Sequence, residues 1–182
     1  MKRYILTGTP SSGKTSILRR LERDGFSVVE EAATDVIALL QARGFAEPWT
    51  QPSFIDDLVE LQKQRQIESA AANDSVQFHD RSAVCTAALA NYLGYPVSRV
   101  LSDELKRIRT ERIFEKTVFF VRNLGFVAAT EARRISFEEA LRFEQIHEET
   151  YRSFGFALTY IELGSVPERV EAIKRVVTAS GK

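Results

Sequence analysis

The chain has 182 residues, 44% of them hydrophobic, which is enough for one well-covered core and too little for two. Lys plus Arg and Asp plus Glu each number 25, giving zero formal charge with no long run of one sign, and this argues against a polynucleotide-binding arm. Cys85 is the single cysteine, so an intramolecular disulfide is excluded and a reducing, cytoplasmic setting is expected.

In chain order, RYILTG (3–8) reads as a short buried strand, its apolar stretch too short for a signal peptide or a membrane span, and 14–23 as the helix after it. FSVVE (26–30) is a second strand. EAATDVIALLQARG follows as a helix, with Gly44 in the usual C-terminal stop position. In the loop AEPWTQP two prolines bracket Trp49. Phe54, Leu58, Leu61 and Ile67 recur at helical spacing and predict a long amphipathic helix over 53–72. SVQFHD (75–80) is the third strand, 82–92 and 98–112 are helices, and TVFFVR (117–122) is a fourth strand apolar enough to be covered on both sides. The next stretch, NLGFVAATEARRIS, has no clean periodicity. A helix then starts with Ser136 as cap and Glu139 three residues on, and Gly155 stops it. ALTYIEL (157–163) is the fifth strand, and PERVEAIKRVVTAS is a terminal helix with Pro167 near its first turn. Strands separated by helices predict an α/β fold of parallel crossover units covered on both faces. We expect one domain over 1–182, with a helical projection at about 45–73 and a lid at about 122–142.

The segment Gly8-Thr9-Pro10-Ser11-Ser12-Gly13-Lys14-Thr15 satisfies GxxxxGK[ST] between a strand and a helix, the setting that gives the pattern meaning. Gly8 permits a tight departure from the strand, and Gly13 allows backbone amides to approach polyphosphate oxygens. Those amides, continuing through Ser16, and the positive end of the helix form an anion seat. Lys14 would reach the β and γ phosphates and the Thr15 hydroxyl would enter the shell of a magnesium ion. The alternative is an ordinary connection bearing a surface lysine.

In a parallel sheet, ligands collect beyond the carboxyl ends of strands, which is where Glu30, Glu31 and Asp80 fall. Asp80 is read as holding the magnesium shell and Arg81 as reaching an acceptor or phosphate oxygen; the bland alternative is an Asp-Arg pair capping the next helix. Glu31, placed at the start of the second helix, would orient or deprotonate an acceptor hydroxyl, or else serve only the helix dipole. Arg122, Arg133, Arg134 and Arg142 form a cationic segment able to cover a transferred phosphoryl group, Arg134 with a catalytic role and Arg133 and Arg142 as nucleotide contacts. Other polar residues are read as structural. His147 reads as a helix-surface residue, His79 as a satisfied sheet-edge histidine in preference to one lining the cleft beside Asp80, and Cys85 as core packing. Trp49 is read as a hydrophobic plug in preference to an acceptor-pocket wall, and Phe54 and Phe78 as core.

GTPSSGKT, VVEEAA, FHDRS and VPERVEAI, in that order, resemble the AAA-type ATPase domain family that includes the kinase domain of NadR-like ribosylnicotinamide kinases, over roughly residues 3–175. The resemblance implies a P-loop kinase-like fold with strand order 2-3-1-4-5, binding ATP or GTP with Mg²⁺. It implies phosphate and magnesium roles for Lys14 and Thr15. Asp80 and Arg81 match its third-strand Asp-Arg, and Glu31 its glutamate after the second strand. Arg134 and the helix behind it match the lid, and the loop before VPERV borders the base. Arg122 stands where related sequences frequently carry an acid. No counterpart of a separate adenylyltransferase or helix-turn-helix module is recognised, so the kinase-like portion alone is expected.

Two functions compete. The first is transfer of the γ-phosphoryl group of ATP or GTP to a hydroxyl of a small, nucleoside-like metabolite, bound between Glu31, Arg81 and the projection around Trp49. The second is a nucleotide-operated switch that needs no acceptor. Neither reading requires nucleic acid or a transmembrane segment, and the oligomeric state stays open.

Overall fold

The computed structural model describes residues 1–71, 75–122 and 137–179. Five parallel strands, β1 (Lys2–Thr7), β2 (Ser27–Val29), β3 (Val76–Asp80), β4 (Thr117–Val121) and β5 (Ala157–Ile161), form one sheet in the order β2-β3-β1-β4-β5. Around it lie α1 (Lys14–Arg23), α2 (Ala33–Ala42), α3 (Ser53–Glu68), α4 (Ala83–Leu93), α5 (Arg99–Thr110), α6 (Phe137–Ser153) and α7 (Val166–Ala179). The α/β fold and the expected strand order are both observed.

Strand alternation divides the core. Tyr4 and Leu6 of β1, Phe78 of β3 and Phe119 and Val121 of β4 point to one face, where Ile17, Leu18 and Leu21 of α1 and Val170, Ile173 and Val177 of α7 cover them. Ile5 and Val118 point to the other, against residues of α2 to α6 such as Val36, Phe54, Val84, Leu101 and Tyr151. Residues expected in the helical projection, among them Phe54, Ile55, Leu58 and Val59, therefore belong to a main core cluster.

Two details place the functional end of the sheet. Leu6 pairs with Asp80 and Thr7 with Phe120, so β1, β3 and β4 end side by side. β2 is shorter than expected, ending at Val29, and α2 begins only at Ala33. Glu31 therefore lies in the connection and not in the first helical turn, where Asp35 takes the place beside the dipole. Among the described residues no helix is long and apolar enough to cross a membrane.

Candidate active site

The loop between β1 and α1 is held in a form that the side chains dictate. Gly8 has φ 132°, and a Cβ there would stand 2.3 Å from the Val121 carbonyl oxygen, so only glycine lets the loop leave β1 against the end of β4. Ser11 (φ 63°) and Gly13 (φ 84°) are left-handed, and no side chain caps α1, leaving its N-terminus as an anion-receiving end. Lys14 is buried and turns back on the loop, donating to Gly8 O (3.1 Å), Thr9 O (2.8 Å) and Ser12 Oγ (3.2 Å). Burial, reinforced by the Arg81 charge, pulls its pKa down to about 7. Thr15 and Ser16 are exposed at the helix start, and Pro10 is buried.

Arg81 organises the strand ends. Its backbone is left-handed (φ 74°), costly for a residue with a side chain, and its N–H donates to Leu6 O (3.0 Å). Nε donates to Glu31 Oε1 (2.7 Å) and Nη1 to Cys85 Sγ (3.0 Å). Glu31 also accepts from Thr34 Oγ1 (3.3 Å). Burial depresses the guanidinium pKa, but Cys85, Glu31 and Asp80 outweigh it and raise it. Asp80, largely buried, stands beside the end of β1.

Glu31 and Arg81 open onto a cavity of about 360 Å³ between α2, α3, α4 and α6. Its walls are mainly apolar and aromatic, with Trp49, Phe54, Leu58, Leu89, Tyr92 and Phe143, and Gln62 and Thr86 supply polar groups. Pro10 of the loop completes the lining, so cavity and loop share a boundary. A cleft of this size and composition suits a small organic molecule.

A magnesium ion takes few protein ligands when phosphate oxygens and water provide the rest. One hydroxyl, Thr15, and one carboxylate, Asp80, fit that donor set, and among the described residues no group of three or more His, Cys, Asp or Glu offers a dedicated metal cage.

A family profile described as AAA domain matches residues 3–169. The chain belongs to the AAA domain family. A search of curated proteins by sequence found no match. Among solved structures, this AAA domain is similar to NadR protein in complex with NR (TM-score 0.71, 18% identity, 100% of this chain and 51% of that one). It is also similar to NadR protein in complex with NAD and AMP-PNP (TM-score 0.69, 18% identity, 100% and 50%). A third likeness is to deoxyadenosine kinase from M. mycoides with dCMP and dCDP bound (TM-score 0.51, 14% identity, 97% and 99%). At these identities the likeness is one of fold, and the chain spans about half the length of the NadR chains.

Several sequence expectations for this AAA domain need correction. His147 is not on a helix surface: it is fully buried, with Nε2 2.9 Å from Cys85 Sγ and Nδ1 2.9 Å from Phe143 O. Cys85 is buried as expected, yet it also lines the cavity and touches Arg81. His79 is in β3, between β1 and β2 and away from the sheet edge, with its ring on Gln77 Oε1 (2.9 Å). Burial, then the Arg3 charge, pushes its pKa down to about 3, so it stays neutral. Trp49 packs against the core but also forms a cavity wall.

The arginines divide. Arg122 is held by Glu144 and Glu148 of α6, both at 2.9 Å, and lies 4.0 Å over the Tyr160 ring. Arg142 is exposed on α6. Arg133 and Arg134, and most of the expected lid, lie outside the described residues. An arginine not singled out from the sequence, Arg169 of α7, is buried and donates to Ser12 O (3.0 Å) and Arg122 O (3.3 Å), tying the loop to the end of β4. Its signal was its place on the apolar stripe of Val166, Val170, Ile173 and Val177.

Proposed function

We propose that the protein is a small-molecule kinase that transfers the γ-phosphoryl group of ATP or GTP to a hydroxyl of a nucleoside-like metabolite. The observation that carries this reading is the shared boundary: an aromatic cavity of about 360 Å³ meets the phosphate loop at Pro10, with the Glu31–Arg81 pair at the junction. A pure nucleotide switch needs no such cavity. Two ligands of the structural neighbours support the same division: NR is a nucleoside-like molecule of the class proposed for the cavity, and AMP-PNP is a triphosphate analogue of the class proposed for the loop.

In this reading the loop from Gly8 to Ser16 and the N-terminus of α1 receive the triphosphate. Lys14 exchanges its loop carbonyls for phosphate oxygens, which would restore its full charge. Thr15 and Asp80 would hold Mg²⁺. When bound, the ion neutralises charge on the phosphate oxygens. Glu31 accepts the hydrogen bond, and then the proton, of the acceptor hydroxyl, while Arg81 balances charge gathering on the transferred group. The apolar walls exclude water that would compete with the acceptor. Arg134, Arg133 and Arg142 are assigned to covering the nucleotide from the lid, and the whole chain to one domain.

The test is a panel of nucleosides and small hydroxyl metabolites incubated with ATP or GTP and magnesium, with phosphorylated product measured by mass spectrometry. The kinase reading predicts a product from at least one nucleoside-like compound. Nucleotide binding and slow hydrolysis with no product across the panel would overturn it in favour of the switch.

A further inference from the structure

In the cavity wall Glu31, Arg81 and Cys85, with His147 behind them, form one hydrogen-bonded line, and the proposed phosphoryl transfer uses only its first two members. We propose that Cys85 and His147 are positioning residues, a thiolate–imidazolium pair that shares the Arg81 guanidinium with Glu31 and fixes it where the phosphate loop meets the cavity. The pair deepens the kinase reading, and rests on it only for what Arg81 does once held.

Proton counting carries the argument. His147 Nδ1 is 2.9 Å from the Phe143 carbonyl, which only accepts, so Nδ1 bears a proton. A single further proton lies between Nε2 and Cys85 Sγ, 2.9 Å apart. Arg81 Nη1 donates to the same sulfur at 3.0 Å. A neutral thiol is a weak acceptor, whereas a thiolate receives charge-assisted hydrogen bonds. Moving the proton from sulfur to Nε2 leaves the total charge unchanged and gives an alternating series of carboxylate, guanidinium, thiolate and imidazolium. With Cys85 4% exposed and His147 0% exposed, water screens this series little.

The surroundings favour the same arrangement. Lys14 from α1 adds positive charge while it is protonated, and Asp80 from the end of β3 and Glu31 from the β2–α2 connection add negative charge, that of Glu31 neutralised by Arg81. Tyr151 of α6, bonded to Ser82 Oγ at 3.2 Å, has its pKa raised by burial and the Cys85 charge and stays neutral. Burial alone would raise the Cys85 pKa, but His147 and Arg81 outweigh it and bring it down to about 6. Anchors on two different nitrogens fix the plane of the Arg81 guanidinium; Glu31 alone would leave it free to swivel.

Because Cys85 is the only cysteine, and the tyrosines ionise only at higher pH, thiolate absorbance near 240 nm reports this residue alone below about pH 9. In the intact protein the absorbance should titrate with a midpoint well below the ordinary thiol value, and His147→Gln should raise that midpoint enough to cut the thiolate-to-thiol ratio at neutral pH by about 10-fold or more. A wild-type midpoint at or above the ordinary thiol value of about 8.5 overturns the pair. Positioning is read in ¹⁵N-labelled protein from solvent exchange of the Arg81 Nε–H resonance, assigned by its loss in Arg81→Lys. Exchange should speed up about 10-fold or more in Cys85→Ala, and less in Cys85→Ser, which keeps an acceptor. Unchanged exchange in Cys85→Ala, folded by circular dichroism, overturns the positioning role. Neither readout needs an acceptor, so a failed kinase panel and a failure here are told apart.

Discussion

The two faces of the sheet do different work. Under α1 and α7 the core is closed, with Leu6, Ile17, Leu21, Phe119 and Ile173 all fully buried, and Arg169 from the same layer ties down Ser12 of the loop. Under α2 to α6 the packing leaves a cavity of about 360 Å³ and admits buried polar groups such as Cys85, His147 and Gln66. A closely packed apolar layer transmits position rigidly, which an anion-binding loop requires. Buried polar groups are costly unless paired, so the other face carries its chemistry as a hydrogen-bonded line.

Substitutions can break this contrast from either side. On the rigid side, Gly8→Ala forces a Cβ into the Val121 carbonyl at 2.3 Å, at a φ of 132° that alanine rarely adopts. We expect a loss of about 4 kcal/mol or more, measured by chemical denaturation. Retention of wild-type stability would mean that the loop is not held against β4. Lys14→Ala should leave the fold intact by circular dichroism yet lower turnover about 10²–10³-fold. On the cavity side, Glu31→Gln should lower turnover of the acceptor about 10–100-fold while nucleotide affinity, measured by calorimetry, stays unchanged. Equal losses in both quantities would move Glu31 from the acceptor to the nucleotide.

A smaller effect sharpens the boundary between the two regions. With its free-state pKa near 7, Lys14 is largely neutral at pH 8, and a bound triphosphate would restore its proton. Nucleotide binding at pH 8 should therefore take up close to one proton, seen as a buffer-dependent binding enthalpy, and below pH 6 the uptake should vanish. Affinity should fall by up to about 10-fold per pH unit above 7. Buffer-independent enthalpy at pH 8 would show that Lys14 is already charged in the free protein.

The sequence made the rigid side largely readable. GTPSSGKT between a strand and a helix announces its loop, and α1 begins and ends at the expected Lys14 and Arg23. Crossover segments implied the parallel sheet, and the family resemblance its strand order. Glu31 and Arg81 were also legible, because strand-end acids and an Asp-Arg pair stand where ligands gather, although only the structure shows the two paired at 2.7 Å. The cavity side was opaque for a physical reason. Cys85 and His147 are separated by 62 residues, and each looks ordinary on its own helix. Trp49 reads as a plug until α2, α3 and α4 are seen to stand apart behind it. Local periodicity reports which side faces inward, and only packing of distant segments decides whether that interior is filled or hollow.

The central claim, that the hollow receives the phosphate acceptor, is most directly tested through the single tryptophan, which lines it. In the presence of magnesium and a non-hydrolysable triphosphate, compounds that the wild-type protein phosphorylates should change Trp49 emission saturably, with a dissociation constant that tracks their KM. A phosphorylated compound that saturates the protein and leaves Trp49 emission unchanged would contradict the account.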